Sequence, residues 1–136
     1  MSRGLRNNNP GNIRRSRARY RGEVRPSQDP AFKQFASRAW GYRAIFVLLD
    51  TYRRRYGLDT LSGMIARWAP PAENATQEYI RAVSRQTGID PDRPLDTEDR
   101  ETMTAVAAAI ARVENGTPAD PEEVAAGWEL FIRHRP

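Results

Sequence analysis

Residues 38–56, RAWGYRAIFVLLDTYRRRY, decide the fold class. Tyr42, Ile45, Leu48, Leu49, Tyr52 and Tyr56 recur at steps of three and four, which places them on one stripe of a helix. Gly57 supplies the stop. Toward the C-terminus the same period returns in shorter pieces. A helix from Thr60 carries Leu61, Met64, Ile65 and Trp68 on one side and ends at Pro70-Pro71, where no backbone N–H can continue it. Asn74 with Gln77 has capping-box spacing for a third helix, whose stripe is Tyr79, Ile80 and Val83 and whose end is Gly88. Residues 89–96 read as a loop. A fourth helix is expected near Thr97, burying Met103, Val106, Ala107, Ile110 and Val113 before Gly116. The fifth opens with Asp120-Pro121-Glu122-Glu123, an N-cap with proline in the first turn, and buries Val124, Trp128, Phe131 and Ile132.

Toward the N-terminus the pattern breaks. Asn7-Asn8-Asn9-Pro10-Gly11-Asn12 demands turn geometry, because Asn and Gly tolerate positive φ. Ile13–Arg25 offers almost no apolar surface, and Ala31–Ser37 suits a short strand. The reading is α+β, mainly α, in one domain over 1–136. An Arg/Asn-rich lobe with two or three short strands (1–37) precedes a helical lobe of four to five helices (38–136).

Composition narrows the chemistry. At 136 residues the chain suits one domain with a self-sufficient core. It has no cysteine, which excludes disulfides, cysteine-ligated zinc and thiol nucleophiles. The single histidine, His134, rules against a Ser-His-Asp triad or a multi-histidine metal site. No metal or cofactor is expected, and no Walker, Rossmann or zinc-ligand pattern occurs. Acid–base chemistry would fall to carboxylates.

The net charge of +5 is unevenly placed. Residues 1–28 hold eight arginines against Glu23, while the other 108 residues carry a slight acidic surplus. A basic segment over residues 3–25 points to nucleic acid or an acidic partner, although a solvated arm has the same composition. With Tyr20 as its one aromatic, it lacks the interleaved rings usual in single-strand recognition. No apolar run is long enough to span a membrane, and residues 1–25 contain no secretory core.

Three stretches carry a resemblance: RGLRNNNPGNIR (Arg3–Arg14), DPAFKQFASRAWGYRA (Asp29–Ala44) and RWAPPAENATQEYI (Arg67–Ile80). Together they look like a family of small bacteriophage and prophage proteins known as virion structural or lysozyme-like proteins. More distantly, Asn8–Arg14, Phe32–Phe35 and Ala75–Tyr79 resemble motifs of flagellar and autolysin-type N-acetylglucosaminidases. The resemblance implies a lysozyme-like fold and peptidoglycan glycan strands as substrate. Cleavage would be by hydrolysis or lytic transglycosylation, in a protein of the virion or host cytoplasm acting on the bacterial envelope. In those hydrolases the acid sits on a helix upstream of the Asn turn. Here six residues precede the turn, so that glutamate has no expected counterpart.

The candidate catalytic carboxylates are Glu73, Glu23 and Asp29. Glu73, near Trp68, would have a raised pKa if packed on indole, as a general acid requires, but equally suits the charge preference of a helix start. Glu23 among arginines suits a stabilising carboxylate or an ion pair, and Asp29 before Pro30 suits a turn. Asn7, Asn8, Asn9, Asn12 and Asn74 can bond sugar hydroxyls or hold turns. Trp68 and Tyr79 can stack on sugars or fill the core. The expected groove lies between the Asn turn and Trp68–Tyr79. The alternative is a non-enzymatic virion protein whose Arg-rich arm binds nucleic acid or an acidic capsid or tail protein.

Overall fold

The computed structural model describes residues 1–70 and 75–136. Its order is α1 (Arg3–Arg6), β1 (Glu23–Val24), β2 (Gln34–Phe35), α2 (Arg38–Tyr56), α3 (Leu61–Trp68), α4 (Thr76–Thr87), α5 (Arg100–Asn115) and α6 (Pro121–Arg133). The described residues are therefore mainly helical with one small sheet. β1 and β2 are antiparallel, pairing Glu23 with Phe35 and Val24 with Gln34, and a lone bridge joins Arg14 to Phe32.

α2 is the central element. Ser37 caps it by accepting from Trp40 N, and Gly57 closes it at φ 66°. Its buried residues include Tyr42, Ile45, Phe46, Leu49 and Tyr52, so most of its circumference meets protein. α6 lies along one side of it. Gly127 makes the close approach possible, since a Cβ there would stand 2.4 Å from Tyr42 Cβ and 3.0 Å from Ala39 O. Beside that crossing Trp128 meets Phe46 edge-on, with centroids 5.1 Å apart. α3, α4 and α5 complete the core with Leu61, Met64, Ile65, Val83, Met103 and Ile110.

One helix start and one core assignment on α6 differ from the sequence reading. The fourth predicted helix, α5, begins at Arg100 under an Asp99 cap, not near Thr97. Thr97 is buried and donates its hydroxyl to Asp50, 2.8 Å away, so its side chain is taken by tertiary structure. Ile132, expected in the core, is exposed on α6, where Phe131 and Trp128 already fill the inward face. The Asn74 cap lies outside the described residues. α4 follows Ala75, which makes no side-chain cap bond.

The N-terminal lobe packs a small cluster of Ile13, Phe35 and Ala44 against α2. It also holds the four-residue α1, which the turn-rich sequence did not suggest. Ser2 caps that helix and reaches Asn115 Oδ1 on α5 at 2.7 Å. No helix among the described residues is long and apolar enough to cross a membrane.

Candidate functional site

The asparagine run is a turn that welds the lobe together. Asn8 and Asn12 sit at φ 51° and 48°, the left-handed region that asparagine tolerates. Asn9 is fully buried. Its Nδ2 donates to Ile13 O and Lys33 O, and its Oδ1 accepts from Ile13 N. Asn7 donates to Asp29 Oδ2 at 3.0 Å, and Asn8 to Phe35 O at 3.1 Å. Three of the four therefore bond the backbone or a carboxylate of their own lobe. Asn12 points elsewhere: its Nδ2 donates to Glu114 Oε1 at 2.9 Å, across 102 positions of sequence.

Glu23 and Asp29 each lie in a nest of donors. Asp29 takes both bonds of the Arg3 guanidinium, at 2.6 and 2.7 Å, together with Asn7 and the N–H groups of Ala31 and Phe32. The Arg3 bonds hold its carboxyl far below the ordinary range, outweighing desolvation. Glu23 is turned inward. Burial alone would raise its pKa, but bonds from Arg25, Tyr20 N–H and Lys33 outweigh that and lower it. Lys33, 1% exposed, sits 3.1 Å from Glu23 and also donates to Ala18 O. Both carboxylates are thereby ionised at neutral pH and tied to the lobe's own frame. Glu73 and Asn74 lie outside the described residues.

A groove of about 410 Å³ opens between this lobe and the helices. Gly11, Asn12, Ile13, Arg14, Tyr20 and Phe32 line one side, and Leu48, Tyr52, Arg67, Trp68 and Glu114 the other. Trp68 is half-buried and lies on Gly11, where a Cβ would come within 2.8 Å of its ring. Tyr79 donates its hydroxyl to Glu114 Oε2 at 2.9 Å. Burial first, then the Glu114 charge and bond, push the Tyr79 phenol well above its ordinary pKa, against a smaller opposing effect of a hydrogen bond with Trp68. Tyr79 is thus a permanent donor. Asn12 and Tyr79 grip one carboxylate oxygen each, fixing its plane at the groove wall.

Glu114 was not among the sequence candidates. No local motif marks it: it stands in the last turn of α5, before Gly116, like any polar residue at a helix end. Its neighbour Asn115 donates to Pro10 O at 2.8 Å, so the end of α5 clamps the Asn turn from both sides.

The arginines of the lobe form a second feature. Arg14, Arg15, Arg17, Arg19 and Arg21 are exposed, whereas Glu23 faces inward on Lys33 and Arg25. The aromatics missing from the arm in sequence are supplied by the fold. Phe32 packs under the guanidinium groups of Arg3 and Arg14, at 4.6 and 5.5 Å. Across the groove Arg67 stacks on Tyr56 at 3.7 Å. Among the described residues no group of three His, Cys, Asp or Glu side chains could hold a metal.

No family model matches the chain. Over 132 residues it is 42% identical to Protein P5 of Pseudoalteromonas phage PM2, a match covering 94% of this chain and 81% of that protein. The bacteriophage part of the resemblance is shared by this relative. Nothing in that relative's name speaks for the lysozyme-like part.

Proposed function

This chain belongs to the family of Protein P5 of Pseudoalteromonas phage PM2, and from that premise we propose that it is a virion structural protein. Its arginine-rich face docks onto a polyanion, the packaged nucleic acid. The observation that carries this reading is the orientation of charge. Arg15, Arg17, Arg19 and Arg21 are exposed, while Glu23, the one carboxylate of residues 1–28, is consumed internally. The field of that face is therefore uncompensated by its own lobe. Such a protein works alongside other virion components and needs no turnover.

The test is fluorescence anisotropy with duplex DNA over a salt series. Each phosphate neutralised contributes about −0.9 to the log–log slope, so Arg17→Ser with Arg19→Ser should reduce the slope's magnitude by roughly 1.8. Absence of binding at low salt, or binding indifferent to salt, overturns the reading.

The groove favours a second reading, engagement of peptidoglycan glycan strands. Its specific support is that Asn12 and Tyr79, drawn from two separate motifs, converge on one carboxylate in a groove that Trp68 also lines. Cleavage there would need a protonated acid. Glu73 remains the proposal for it, while Glu23 and Asp29, ionised and held by donors of their own lobe, remain candidates only for the second, charge-stabilising carboxylate. Release of muropeptides from sacculi decides the matter: anhydro ends indicate transglycosylation and reducing ends hydrolysis. No release rejects catalysis. If turnover is seen, Glu73→Gln should remove most of it.

A further inference from the structure

We propose that Glu114 is the polar anchor of a sugar subsite in the groove, holding a pyranose ring whose apolar face lies on Trp68. The inference rests on the second, glycan-strand reading and names the residue that would give that groove its specificity.

Asn12 Nδ2 occupies one lone pair of Glu114 Oε1, and the Tyr79 hydroxyl one of Oε2. Each oxygen keeps further accepting capacity, and an ionised carboxylate accepts without donating. Its complement is a ligand that presents hydroxyl or amide N–H donors. A bare cation is disfavoured because Arg14 and Arg67 line the same groove. A purely apolar ligand is disfavoured because it would strip water from Glu114 without replacing it. A pyranose satisfies both demands, with equatorial donors at its edge and C–H groups on its face for an indole. N-acetylated amino sugars add an amide N–H to that set.

The clamp also explains why two neutral side chains are spent on one glutamate. Asn12 is held in a left-handed turn and Tyr79 is buried, so both partners are rigid. The carboxylate they grip is oriented before any ligand arrives, which lowers the ordering cost of weak sugar binding. Tyr79 acts through Glu114 and is a positioning residue.

The experiment is titration of the full chain with N-acetylchitotetraose, and with maltotetraose as a differently shaped control. Binding is followed by isothermal calorimetry and by the tryptophan indole N–H signals in NMR spectra. Wild type should bind the first ligand and shift the Trp68 indole signal. A hydrogen bond to a charged group is worth about 1.5–3 kcal/mol, so Glu114→Gln should weaken binding roughly 10- to 100-fold. Tyr79→Phe should weaken it less, and Arg112→Ala, exposed elsewhere on α5, should leave it unchanged. Equal affinity in wild type and a folded Glu114→Gln variant overturns the anchor while leaving the groove reading intact. Absence of binding by wild type overturns both. Should Glu114→Gln fail to fold, the wild-type spectra decide. Ligand shifts that bypass the Trp68 indole and the Glu114 amide reject the subsite.

Discussion

Replacing Gly127 with alanine gives a test of the helical packing in which even the sign is informative. At a roomy position in a helix, Gly→Ala stabilises by about 1 kcal/mol, because alanine has the better helix propensity. At Gly127 the added methyl would stand 2.4 Å from Tyr42 Cβ, 3.0 Å from Ala39 O and 3.1 Å from Arg43 N. None of these is the far end of a flexible chain. Carbon atoms settle near 3.5–4.0 Å, so α2 and α6 would have to separate by about 1 Å. Tyr42 and Phe131 are buried on those helices, and their packing would loosen together. Overpacking of this kind costs about 1–3 kcal/mol, and backbone contacts put this case at the upper end. Net of propensity, the variant should lose about 2 kcal/mol. For a chain of this length that corresponds to a fall in Tm of roughly 6–10 °C. Thermal unfolding followed by circular dichroism at 222 nm measures it, with the near-ultraviolet signal of Trp128 as a local probe. An unchanged or raised Tm would show that the helices are not in the contact described.

Glu23→Gln should destabilise by about 3 kcal/mol in urea titrations, because it leaves the buried Lys33 ammonium without its counter-charge. Asn9→Ala should cost about 3 kcal/mol or more, since Ile13 N–H, Ile13 O and Lys33 O all lose a partner inside the lobe. Acid should unfold the protein through Glu23 and Asp29. Their folded-state pKa values lie below the unfolded ones, so the stability they contribute is full above about pH 5 and falls as pH drops toward the folded values. Asp29→Asn should flatten that acid limb, and an equally steep limb in this variant would remove Asp29 from the account.

The helices were legible because their information is local. Period, caps and terminal glycines lie within a few residues of one another, and Gly57, Gly88 and Gly116 all adopt the left-handed conformation expected of helix stops. The failures have non-local causes. Thr97 looks like a cap until its hydroxyl is found on Asp50, a contact 47 positions away. The Asn turn was legible as a turn, yet the division of labour within it was not. That Asn9 is buried scaffold and Asn12 a groove residue depends on which strand and which helix lie beside each. Glu23 followed the ion-pair reading that its arginine-rich surroundings suggested, but its buried partner Lys33 is ten residues on and came from the second strand segment.

Glu114 shows most clearly why the site resists a sequence reading. A lobe with so little apolar surface cannot be held by hydrophobic burial alone, and what fastens it is a set of directed polar bonds. Ser2, Pro10 and Asn12 all bond Glu114 or Asn115 in the last turn of α5. Those bonds span more than 100 positions and can form only after the intervening helices have packed and brought the chain ends together, with the loop-closure entropy that requires. The same bonds shape the groove wall, so fastening the lobe and building the site are one event. A residue with that double role has no reason to sit in a compact motif. Its position is set by where α5 ends, and α5 ends where Gly116 allows the chain to turn.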